Sequence, residues 1–212
     1  ECTNSVASSV PSNCKEAENQ RPTILVFRPD SEANSFWHLN GQFIQAIADD
    51  LHIELKTVLI DYPHRNRFSY IELIRQHLDS GPQPDAILGI LYASGEAAVL
   101  EEVERRKLPF FSFNTNLDAG MQSRVGQPRE RYQYWIGHMS SDDHRAGLNV
   151  IEYLSDDHRN EIGAIVGGAS QALVNTVRIE GALQARRKLN ARLLPAVYTD
   201  WTPTRSKQAF AA

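Results

Sequence analysis

Asn34, Ser35, Phe36 and Trp37 stand where an apolar run, Ile24, Leu25, Val26 and Phe27, gives way to a polar loop and then to helical periodicity. A carboxamide donates and accepts hydrogen bonds at once, and the two rings beside it offer flat apolar faces. Polar groups that orient a guest, next to aromatic faces that cover it, suit the binding of a small polar molecule. Each residue also has a plain structural role open to it. Asn34 serves equally as a helix N-cap, and one ring of the pair, Phe36 more readily than Trp37, could face the core instead.

Bond-making chemistry finds less support. The chain has seven histidines and 26 acidic residues, yet it contains no H-E-x-x-H pair and no G-x-S-x-G elbow, and Gly167 and Gly168 are not followed by the G-K-[ST] of a phosphate loop. His138 closes a strand and is a candidate base, with a hinge residue held by backbone hydrogen bonds as the preferred reading. No enzyme, cofactor or metal site is expected. The two cysteines, Cys2 and Cys14, lie together in a polar segment over residues 1–20 and lack the further Cys/His pairs of a zinc module. They fit a local disulfide formed in an oxidising compartment, with two free thiols as the alternative.

Composition narrows the class. At 212 residues and 42% hydrophobic content the chain can bury a core in one large or two small domains. No run approaches the roughly 20 apolar residues of a membrane span. The net charge of -4 disfavours nucleic acid, and Arg186, Arg187 and Lys188 fall at a helix end where cations complement the dipole. The chain opens with Glu1 rather than Met, as expected of a processed or trimmed product that has lost any signal peptide.

The elements that must position these residues repeat one unit: apolar strand, polar loop, amphipathic helix. Strands are expected at 23–27, 54–60, 86–91, 110–113, 134–138, 161–166 and 192–199. Helices are expected at 34–51, 70–78, 95–106, 144–154 and 174–189. Residues 117–131 read as a surface loop or insertion, Gly167 to Ala169 as a tight turn, and Ser140, Ser141, Asp142 and Asp143 as helix caps. Such alternation predicts an α/β fold of right-handed, doubly wound parallel sheets. A last element opens at Thr204 and runs into the final residue, which reads as a chain cut short.

N-S-F-W at 34–37, P-F-F-S-F-N-T at 109–115, I-G-H-M-S-S-D-D-H-R-A-G at 136–147 and N-T-V-R-I-E-G at 175–181 occur in the order found in the periplasmic sugar-binding proteins of the ribose and galactose type, which the chain resembles from about Arg21 onward. E-A-N-S-F-W and the Asn after strand four also resemble the periplasmic receptor for autoinducer-2. The resemblance implies a two-lobed type I periplasmic-binding-protein fold, each lobe a doubly wound parallel sheet. Residues 1–20 would be a tail, 21–138 the N-terminal lobe and 139–212 the start of a truncated second lobe. It further implies a periplasmic location, a small sugar or polyol in the interlobe cleft, and delivery to the permease of an ABC-type transporter or report to a membrane sensor kinase. A transcription regulator's sensing core shares the architecture, but a helix-turn-helix ahead of strand one is missing.

The resemblance also assigns a ligand set: Phe36 and Trp37 stacking on the ring, Asn34 and Glu32 from the first loop, Asn114 at the end of strand four, and Arg178 with Thr176 from the second-lobe helix. Asn175 is a further fallback. Asn114 and Thr115 replace the Asp-Arg pair common in sugar binders, which agrees with the autoinducer-2 type. Alternatives remain at Asn114 and Arg178 too. Asn114 also fits a left-handed turn, and Arg178 also fits a surface pair with Glu180 or Asp200.

Overall fold

Apolar runs too short for helices and bounded by Pro, Gly and Asp become strands, and the amphipathic stretches between them become helices. The computed structural model describes residues 21–31, 33, 35–61, 64–158, 161–168, 172–190, 192–199 and 203–211. Among these, seven strands alternate with seven helices. The first unit runs β1 (Thr23–Pro29), α1 (Phe36–Asp50), β2 (Glu54–Ile60), α2 (Arg67–Ser80), β3 (Ala86–Gly89), α3 (Glu96–Arg106), β4 (Phe110–Phe113), α4 (Ala119–Val125) and β5 (Trp135–Met139). The second runs α5 (Asp143–His158), β6 (Glu161–Gly167), α6 (Leu173–Leu189), β7 (Arg192–Tyr198) and α7 (Pro203–Ala211). Cys2 and Cys14 lie outside the described residues, as do Glu32, Asn34 and Asp200.

All strand pairs are parallel. The first sheet has the order β2-β1-β3-β4-β5, and β6 and β7 form a second sheet of their own. The first sheet is wound on both faces. Phe27 of β1 meets Tyr70 and His77 of α2 edge-on, and Arg28, pointing the other way along the pleat, reaches α1. The main core lies on the α2 and α3 side, where Phe27, Tyr70, Ile74, Leu100, Phe110 and Trp135 are buried. On the other side α1 buries only Ala48 fully and leaves Leu39, Phe43, Ile47 and Leu51 exposed along one stripe.

Residues 117–131 depart from the expected loop. Asp118 accepts the amide of Met121 and caps a helix of 7 residues, α4, which ends at Gly126 with φ of 74°. Met121 and Val125, one turn apart, are buried against the core. Two apolar positions are too few to show a period, so sequence patterning misses the helix.

A buried carboxylate ties α2 to α3. Glu102 is only 5% exposed and takes Arg105 and Arg106 at 2.5 Å and Arg75 at 3.3 Å. Burial raises its pKa, but hydrogen bonds from the two arginines of its own helix outweigh that and hold it at about 2 against an ordinary 4.5. A depressed carboxylate stabilises the fold above its unfolded pKa and stops doing so as pH falls through its folded value. Glu102→Gln should therefore cost on the order of 2 to 3 kcal/mol at neutral pH. Urea unfolding at a series of pH values should show that gap closing between 4.5 and 2. A gap independent of pH would mean that the carboxylate charge contributes nothing.

The second unit rests on a close helix pair. A Cβ built on Gly147 of α5 would lie 1.9 Å from the carbonyl oxygen of Arg178, and one on Gly181 of α6 would lie 2.0 Å from that of His144. Around this contact Leu148, Ile151, Ala182 and Ala185 form a small core of their own.

Candidate functional site

Strand order reverses between β1 and β3, and in open parallel sheets the carboxyl ends of the strands at such a point are the usual ligand position. The N-cap Ser35 starts α1 at this edge, its hydroxyl accepting the amide of His38 at 3.4 Å. The first turn then delivers the aromatic pair. Trp37 is half-buried, edge-on to Phe113 at the end of β4 with ring centroids 6.1 Å apart. Phe36 stands edge-on to Trp37 at 5.1 Å and is 60% exposed. One ring is thus anchored and the other open to solvent. Tyr92, just beyond β3, lies edge-on to Tyr70. Burial pushes its phenol up to about 12 against the opposing pull of Arg65, so it is a neutral hydrogen-bonding group at physiological pH.

Asn114 follows β4 with φ of 68°, and its amide donates to the carbonyl of Met139 at 2.8 Å. The left-handed turn read as its alternative is therefore present. Two residues on, the Asn116 side chain links the two units. Ser140 donates to the Asn116 carboxamide oxygen at 2.8 Å, and the Asn116 amide donates to Oδ2 of Asp143.

Asp143 is the polar centre of the region. It is 1% exposed, and its Oδ1 accepts from Ser141 Oγ at 3.1 Å and from Arg178 Nε and Nη2 at 2.8 and 2.7 Å. Of the two acidic residues at this helix start, Asp142 is the cap, accepting the amide of Arg145 at 2.9 Å, while Asp143 is the counter-ion. Arg178, with its side chain 45% exposed, thus pairs with Asp143 rather than with Glu180. Asn175 is buried and its side-chain oxygen accepts the amide of Gly168, tying the turn after β6 to α6. Thr176 is exposed on the same helix.

A concavity of about 450 Å³ opens here, walled by Asn116 and Leu117 of the first unit, Ser140 and Ser141 of the crossing segment, and Leu173 and Val177 of α6. Its size is that of a small-ligand site. Arg178 reaches its wall through Asp143, and Phe36, Trp37, Asn114 and Thr176 are not among its lining residues. Asn116, Ser140 and Ser141 were not singled out in the sequence as ligand-facing. Only their polarity could have drawn attention to them. His138 is turned inward, with Nδ1 2.9 Å from Ser112 Oγ, which also accepts the indole N–H of Trp135 at 2.9 Å. Burial lowers the His138 pKa and favours the neutral ring. These side-chain contacts add to the backbone ladder that pairs His138 of β5 with Ser112 of β4.

No family model matches the chain, and no curated protein matches it. Its fold is that of solved periplasmic sugar-binding proteins. A periplasmic solute-binding protein of an ABC transporter from Actinobacillus succinogenes 130z, with bound D-allose, is similar at TM-score 0.72 and 16% identity over 89% of this chain and 63% of its own. A galactofuranose-binding protein is similar at TM-score 0.69 and 20% identity over 89% of this chain and 60% of its own. The fructose-binding periplasmic domain of a hybrid two-component system is similar at TM-score 0.67 and 13% identity over 90% of this chain and 58% of its own. The chain spans about three fifths of the length of these proteins. The expected α/β architecture with parallel sheets is the one they share.

Proposed function

We propose that this chain is the ligand-binding part of a periplasmic solute-binding protein that holds a small sugar or polyol between two lobes, performs no chemistry on it and presents it to an ABC-type transporter. The observation that carries the reading is the concavity walled by both units at the carboxyl ends of the strands. Residues 21–138 belong to the first lobe and 139–212 to the second, with the crossing near residues 138–143. Trp37 and Phe36 cover the apolar face of the ring, which is favourable because C–H faces of a sugar stack on flat aromatics. Asn114 from the first lobe and Thr176 from the second add hydrogen bonds, and Glu32 and Asn34 contribute from the first loop. Arg178 engages Asp143 with Nε and Nη2, which leaves the Nη1 donors for a hydroxyl. Closure of the lobes strengthens binding because both touch the guest.

D-Allose and galactofuranose, named for the similar structures, set the ligand class to be tried. A second reading, a signal receptor of the autoinducer-2 kind coupled to a sensor kinase, is favoured by Asn114 and Thr115 in place of an Asp-Arg pair, and by likeness to a two-component sensor domain. Both readings are tested by a thermal-shift series with pentoses, hexoses, polyols, and autoinducer-2 with and without borate. Because a guest that binds only the folded state stabilises it, a true ligand at 100 times its Kd should raise the melting temperature by roughly 5 to 10 °C. A sugar hit supports transport, an autoinducer-2 hit supports signalling, and a folded protein that responds to none contradicts both.

A further inference from the structure

The contact of Arg28 with Gly41 beneath α1 is explained by none of the site residues above. Arg28 lies in β1 on the face toward α1, and its Nη1 donates to the carbonyl of Trp37 at 3.1 Å and to that of Pro29 at 3.4 Å. A Cβ on Gly41 would lie 2.6 Å from the Arg28 Cζ and Nε and 2.7 Å from its Nη2. Position 41 therefore has no room for a side chain while the guanidinium is in place. Glycine inside a helix is unfavourable relative to alanine, so its presence there calls for a reason, and the space it leaves is filled by Arg28. No carboxylate among the described residues pairs with Arg28, and peptide carbonyls are its partners.

Beyond the Trp37 ring, which rests edge-on against Phe113, few contacts secure the first turn of α1. The helix buries one residue fully, Ala48, in its last turns, and the Ser35 cap bond is long at 3.4 Å. We propose that Arg28 is a positioning residue for the candidate site. It clamps the Trp37 carbonyl and so fixes the turn that presents Phe36 and Trp37, with Gly41 as the notch that admits it. In an α-helix the same carbonyl also takes the Gly41 amide, and its second lone pair accommodates the guanidinium. The consequence for binding rests on the sugar-binding reading; the clamp itself does not.

Hydrogen exchange read amide by amide along α1, without ligand, tests the clamp whether or not a sugar binds. In Arg28→Ala the amides of residues 38–41 should exchange about tenfold faster, while those of 45–48 keep their rate, and Arg28→Lys should restore part of the protection. Gly41→Ala should speed exchange of the first turn when Arg28 is present and slow it in the Arg28→Ala background, where alanine only improves the helix. Unchanged exchange at 38–41, a uniform rise along all of α1, or a harmless Gly41→Ala beside Arg28 would each overturn the proposal.

Discussion

Gly147→Ala is expected to destabilise the second unit by about 3 kcal/mol or more. Two effects oppose each other at this position. Alanine is the better helix former by about 1 kcal/mol, and on an isolated helix that term would decide the outcome. Here the new methyl would meet the Arg178 carbonyl oxygen at 1.9 Å, a backbone atom that can move only if α6 moves with it. Separating the helices opens the small core of Leu148, Ile151, Ala182 and Ala185 and shifts the segment that carries Arg178. Gly181→Ala should behave alike, because its methyl would lie 2.0 Å from the His144 carbonyl oxygen. Gly81, with nothing within 4 Å and an extended backbone, is the control, and Gly81→Ala should stay within about 0.5 kcal/mol of the parent. Urea unfolding of the three variants decides the matter. Equal stability for Gly147→Ala and Gly81→Ala would show that α5 and α6 do not approach this closely.

Asp143→Ala should cost about 2 to 3 kcal/mol and weaken ligand binding as well. Deleting one member of a fully buried ion pair costs about 3 to 5 kcal/mol, because the other charge is left unpaired in a poor dielectric. Arg178 is partly exposed and can regain water, so the cost falls below that range. The Asn116 amide and the Ser141 hydroxyl also lose their acceptor. Asp143→Asn keeps the shape, restores an acceptor but not the charge, and should recover part of the loss in denaturant unfolding. If both variants match the parent in stability, Asp143 is not the centre of the junction.

Strand and helix order was legible in the sequence because each apolar run carries its own period. The unit from β1 to β3 appears almost at the expected bounds, although Ile90 and Leu91 are buried beyond the end of the β3 ladder. α4 was hidden because one turn of apolar spacing cannot be told from chance. The aromatic pair at the first turn of α1 could be read locally, since its residues lie within four consecutive positions. Asp143 could not be told from Asp142 in this way. Both look like caps, and only the fold brings Asn116, 27 residues earlier, and Arg178, 35 residues later, onto one of them. Gly41, Gly147 and Gly181 share that limit. Their value lies in what stands opposite, and no spacing rule in one sequence shows it.

The central claim is that a sugar is held against the first-turn aromatics, and calorimetric titration of the parent and Trp37→Ala with the best sugar from the thermal-shift series tests it most directly. The account predicts saturable one-site binding by the parent. It also predicts a dissociation constant raised about tenfold or more in the variant, since the lost stacking is worth about 1 to 2 kcal/mol. Binding of equal strength to both proteins would place the ligand elsewhere and contradict the account.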